Sequence, residues 1–99
     1  MEIFDIHIIL AVRYLDILDK SEYKTDIKKV SKDHLVKLLL ELKENKNMSL
    51  DKASRFIGFI QGVLCAFGLI DVDTEREFTR PLFQKYYSEI NIEQSSIEV

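Results

Sequence analysis

The stretch "FIGFIQGVLCAFG", from Phe56 to Gly68, decides how this chain is read. Ile57, Ile60, Val63 and Leu64 recur at helical spacing, and with Leu50, Ala53, Phe56 and Phe67 they form one apolar arc. Gly58 and Gly62 nevertheless sit four apart inside the same helix, in a chain with only 3 glycines. Glycine in a helix interior is destabilising by roughly 0.5–1 kcal/mol relative to alanine. The spacing puts both on the side away from the apolar arc, in the set Ser54, Gly58, Gln61, Gly62 and Cys65. Ser54, Gly58 and Gly62 make a ridge of small residues, lengthened by Cys65 and flanked by Gln61 and Arg55. A strip without side chains lets another backbone approach closely. Three occupants fit it: another helix of the same chain, the same helix of an identical subunit across a two-fold axis, or a ligand or partner peptide.

On either side of this helix the chain reads as further helices. Ser49 is an N-cap with Asp51 in the first turn, and Gly68 supplies the left-handed residue that ends the helix. Asp71 or Asp73 then caps a fourth helix in "DVDTEREFTRPLFQKYY", and Thr74 with Glu77 fits a capping box if that helix starts later. Pro81 is expected to kink or restart it. Toward the N-terminus, Ser31 caps a second helix whose apolar face is Leu35, Val36, Leu38, Leu39, Leu40 and Leu42, and "KENKN" ends it. Residues 20–30 form a polar connector with room for one helical turn after Thr25.

Residues 3–19 read as the first helix. Ile3, Phe4, Leu10, Ala11, Tyr14, Leu15, Ile17 and Leu18 share one arc, and Asp5, Arg13, Asp16 and Asp19 lie opposite. His7 falls in the apolar arc, where a core histidine is the ordinary reading. Alternation of Phe4, Ile6 and Ile8 with Asp5 and His7 leaves a strand over residues 2–8 as the alternative. The tail from Ser88 has no periodicity. The expectation is an all-α fold: a compact bundle of about four helices in one domain, residues 1–88, with 89–99 a flexible tail.

Charge and composition narrow the function. The net charge is -3, and the whole excess falls in residues 51–99. Lys20, Lys24, Lys28, Lys29, Lys32 and Lys37 cluster, but Glu22, Asp26 and Asp33 interleave with them and only Tyr23 offers a ring for stacking. Both features argue against nucleic acid as the partner. Cys65 is the only cysteine, so no internal disulfide can form and a reducing, cytoplasmic setting is expected. The first residues carry Glu2 and Asp5 where a signal peptide would be basic, and no run of about 18 apolar residues suggests a membrane span. There is no phosphate loop, GxGxxG, nucleophile elbow or HExxH, and neither His7 nor His34 has an obvious third metal ligand. No catalysis, cofactor or metal is expected.

Two polar features remain. Arg55, Arg76 and Arg80 are three of four arginines. They form either a solvated ion-pair network with Glu75 and Glu77 or an anion site oriented by the helix N-terminus at Asp71–Thr74. In "PLFQKYY", Leu82 pairs with Tyr86 and Phe83 with Tyr87 in two directions, so one pair can cover the core while the other anchors a partner.

"KASRFIGFIQGVL" followed by "GLIDVDTEREFTRPLF" resembles a pattern of small uncharacterised accessory proteins of tailed bacteriophages. The resemblance runs from Lys52 to Tyr87 and brings no catalytic residues. It implies a factor made early in infection that binds a host component, and it groups Arg55, Gln61, Gly62, Arg76 and Arg80 on one surface. The expected function is a small non-catalytic interaction protein, homo-oligomeric, that acts in the host cytoplasm on a host protein such as a defence component. The alternative is a binder that sequesters a small anionic, nucleotide-like ligand through Arg55, Arg76 and Arg80.

Overall fold

The computed structural model describes the backbone of residues 3–45 and 47–90 and the side-chain surroundings of residues 5–45 and 47–85. Four α-helices follow one another: α1 (Ile3–Lys20), α2 (Lys32–Glu44), α3 (Leu50–Ala66) and α4 (Val72–Ile90). No strand occurs among the described residues, so the start of the chain takes the helical alternative from Ile3 onward. A 3-10 turn at Lys28–Val30 is the single turn foreseen in the connector. The Tyr23 hydroxyl anchors that connector by donating to the Val30 carbonyl at 2.6 Å.

The helix ends are set by local chemistry. Ser31 Oγ accepts from the His34 N–H at 3.2 Å, and Ser49 Oγ from the Lys52 N–H at 3.1 Å, each satisfying one donor that the first turn leaves open. At the far end of α3, the Leu69 N–H reaches the Leu64 carbonyl at 2.8 Å and the Gly68 N–H reaches Cys65 at 3.1 Å. This crossed pair closes the helix and requires the positive φ of 78° that Gly68 adopts. Asp71, rather than Asp73 or Thr74, caps α4: its Oδ2 accepts from the Thr74 N–H at 3.0 Å and from the Thr74 hydroxyl at 3.1 Å. α4 passes through Pro81 as one helix and does not restart there.

The core lies between α1, α2 and α3. Ile6, Leu10, Ala11, Tyr14 and Leu18 of α1 meet Leu35, Leu39 and Leu42 of α2 and Ala53, Ile57, Ile60, Val63 and Leu64 of α3. Lys52 Nζ and Glu41 add an ion pair between α2 and α3 at 3.6 Å. His7 is buried among these residues, and burial lowers its pKa below the ordinary histidine value. Leu50 and Phe67, at the two ends of the expected α3 arc, are each 45% exposed; Phe67 meets Tyr23 edge-to-face at 5.0 Å. α4 joins the other three helices chiefly through α1, with Leu82 and Phe83 half-buried against the core.

Candidate functional site

Glu75 lies one turn into α4 and is only 5% exposed. A buried carboxylate needs compensating donors, and this one has three. Arg13 of α1 donates from Nε to Oε1 at 3.1 Å and to Oε2 at 3.3 Å, and from Nη2 to Oε2 at 3.0 Å. The adjacent Tyr14 hydroxyl donates to Oε1 at 2.7 Å. Gln61 of α3 completes the set, its side-chain amide donating to the Tyr14 oxygen at 2.8 Å. One network therefore ties α1, α3 and α4 together. Burial, reinforced by the neighbouring carboxylate, pushes the Tyr14 phenol above its ordinary value, so its proton remains available to Glu75. The Arg13 guanidinium also stands 4.0 Å from the centre of the Phe78 ring, one turn further along α4.

Beside this network a cleft of about 190 Å³ opens between α3 and α4, lined by Gln61, Cys65, Val72, Glu75, Arg76 and Thr79. The structure thus brings Gln61, Cys65 and Arg76 together. It does not bring Arg55 with them: Arg55 is exposed on α3 and pairs with Asp51 at 3.2 Å. Arg76 and Arg80 are exposed and form no ion pair among the described residues, so Glu75 does not offset them as the sequence suggested; it turns inward to Arg13 instead. Nor is the N-terminus of α4 open to an external anion, because the Asp71 carboxylate already occupies it and the Thr74 bonds hold the Asp71 pKa below its usual range. The side chains of Tyr86 and Tyr87 lie outside the described residues. Among those residues, no three His, Cys, Asp or Glu side chains group as a metal site, and no helix is long and apolar enough to cross a membrane.

The outer face of α3 is bare. Ser54, Gly58 and Gly62 are exposed, and Gln61 and Cys65 sit half-buried at its edge. A Cβ built on Gly58 or Gly62 would meet nothing within 4 Å. The first of the three occupants considered for this strip, another helix of the same chain, is therefore not there among the described residues. Phe59, beside the glycines, is 43% exposed, a large apolar side chain facing outward.

No protein-family model matches the chain, and no curated protein or solved structure matches it significantly.

The sequence does not single out Arg13, and it offers Glu75 only as a surface partner of Arg76 and Arg80. Arg13 falls on the polar arc of α1, and Glu75 reads as an ordinary acid of a first helical turn. A signal was present: Glu75, Phe78, Thr79 and Leu82 share one face of α4, which places a carboxylate on the stripe that packs inward.

Proposed function

We propose that this protein is a small non-catalytic interaction module that self-associates through the outer face of α3. One observation carries the reading: Gly58 and Gly62 leave open space where each Cβ would stand. Two interior glycines weaken a helix by roughly 0.5–1 kcal/mol each, and no packing among the described residues makes use of the missing side chains. A second backbone lying on the strip would use them. An identical α3 across a two-fold axis supplies one, since a ridge of small residues is complementary to itself at close range. Exposed Phe59 at the edge adds the aromatic area favoured in interface anchors.

The resemblance to phage accessory proteins extends this reading to a role: an assembled module that captures a host protein in the host cytoplasm, with Arg76 and Arg80 on the outward side of α4 as charged contacts. The sequestration of a nucleotide-like anion has less support. The cleft beside Arg76 holds about 190 Å³, against roughly 300–1,000 Å³ for sites that enclose small molecules. Arg55 is committed to Asp51 and the α4 terminus to Asp71.

Light scattering on the wild type and Gly58→Leu tests self-association. Leucine is a good helix former and would enter open space, so the variant should fold. The expected result is a wild-type dimer or larger species and a folded monomeric variant. A wild type that stays monomeric at high concentration, or a variant of unchanged mass, refutes the reading.

A further inference from the structure

The side chains that hold Glu75 all come from outside α4: Arg13 and Tyr14 from α1 and, behind them, Gln61 from α3. Arg13 and Tyr14 are neighbours on α1, and Tyr14 is fully buried there. The Gln61 amide occupies the acceptor side of the Tyr14 hydroxyl at 2.8 Å, which aims the hydroxyl proton away from α3 and toward the carboxylate. The Arg13 fork faces the same point with Nε and Nη2, the arrangement that suits a carboxylate. Phe78, three residues beyond Glu75, covers the Arg13 guanidinium. The polar part of the contact between α1 and α4 is thus an acid followed one turn later by an aromatic ring.

α4 is the least closely packed of the four helices and meets the others chiefly through α1. It is joined to α3 through residues 67–71, which include the positive-φ Gly68. A cleft of about 190 Å³ lies between Gln61 and Cys65 of α3 and Val72, Glu75, Arg76 and Thr79 in the first turns of α4. This set of donors borders the bare strip: Gln61 sits half-buried at the edge of the exposed face that carries Gly58 and Gly62.

We propose that Arg13, Tyr14 and Gln61 form a carboxylate receptor that Glu75 fills from within the chain, and that its occupant in trans is Glu75 on α4 of a second copy. The second copy is the fitting occupant because its α4 carries the same Glu75–Phe78 spacing, so exchange recreates every bond and the ring contact. Exchange of identical elements is a low-cost route to association when the connecting segment can extend. The choice of a second copy rests on the self-association reading above; the receptor does not.

Glu75→Ala empties the receptor, and acetate is the probe. Melting is followed in sodium acetate against sodium chloride at equal ionic strength, with the wild type, whose receptor is filled, setting the non-specific baseline. The expected result is a saturable rise in the melting temperature of Glu75→Ala in acetate only, lost when Arg13→Ala is added. Where Glu75→Ala is unfolded in chloride, recovery of helical circular dichroism by acetate reads the same event. An acetate response equal to the wild-type baseline overturns the receptor. Mixing Glu75→Ala with Arg13→Ala then tests the occupant: the first chain keeps a receptor and the second keeps its ligand. A mixed dimer that melts above either variant supports exchange, and two components that melt independently overturn it. Should Glu75→Ala fail to fold, Glu75→Gln takes its place in the mixture. Because acetate acts on monomers, failure of the receptor is distinguishable from failure of self-association, which the mass of the wild type reports separately.

Discussion

Replacing Gly58 and Gly62 together by alanine separates the chain's own stability from its association. Nothing stands within 4 Å of either added methyl group, so neither substitution meets a clash inside the described chain. Both residues lie in regular helix, with φ outside the positive region that Gly68 alone among the glycines occupies. Each substitution should therefore return the helical preference that glycine forfeits, about 0.5–1 kcal/mol, or about 1–2 kcal/mol for the pair. For a domain of this size 1 kcal/mol shifts the melting temperature by about 4–8 °C, which gives an expected rise of about 4–16 °C. The assay is thermal unfolding by circular dichroism at concentrations below and above the association range, with mass measured on the same samples. At low concentration the double variant should melt higher than the wild type. On raising the concentration, the wild type should gain stability by mass action while the variant does not. A variant that melts lower than the wild type at low concentration would refute the reasoning, because the glycines would then be answering a constraint inside the chain.

Gly68→Ala should act with the opposite sign to the substitutions at Gly58 and Gly62: its φ of 78° places a Cβ in the left-handed region, at a loss of about 1–2 kcal/mol measured by denaturant unfolding. Arg13→Ala should destabilise more than Tyr14→Phe. The first strands a carboxylate whose side chain is 7% exposed, a loss near the lower end of about 3–5 kcal/mol because Arg13 itself is partly solvated; the second removes the hydroxyl's bond to a charged group, about 1.5–3 kcal/mol, and with it the acceptor of the Gln61 amide, which lines the open cleft within reach of water. The reverse order in urea titrations would mean that the hydroxyl rather than the guanidinium holds Glu75. His7 makes stability pH-dependent. Its folded pKa is lowered by burial from 6.5, so the unfolded chain takes up the proton first as the pH falls. The contribution is fully present above about pH 6.5 and declines as the pH drops below it toward the lowered folded value; His7→Gln should flatten the unfolding free energy measured across that window.

What could be read along the chain was what neighbouring residues decide among themselves. Ser31, Ser49 and Gly68 bound their helices because a cap acts within one turn, and the Leu35–Leu39–Leu42 and Ile57–Ile60–Leu64 stripes need only helical periodicity. The strip of Ser54, Gly58 and Gly62 was legible as a surface but not as an interface with a given partner, since a bare backbone offers the same face to a helix of its own chain and to that of another. The Arg13–Glu75 contact spans 62 positions, and no local rule links a polar-arc arginine of the first helix to an acid of the fourth. It becomes derivable only when the faces are combined: Glu75 lies on the inward stripe of α4, and an acid there must find a cation on the helix it meets.

The opening stretch carries both surfaces on consecutive residues. Gln61 turns toward Tyr14 and sets the orientation of a hydroxyl that reaches α4, while Gly62, about 100° further round the helix, leaves the neighbouring flank of the same turn bare. A helix is stiff over a single turn, so a backbone pressed against Gly62 must bear on the Gln61 side chain and, through Tyr14, on Glu75. Occupation of the strip and the hold on α4 should therefore be energetically coupled. Gln61→Ala provides the test: it frees the acceptor side of the Tyr14 hydroxyl without altering Gly58 or Gly62. If the coupling is real, the variant should change the association constant measured by light scattering as well as the hydrogen-exchange protection of the first turns of α4. If protection falls while association stays at the wild-type value, the two surfaces share a helix but act independently.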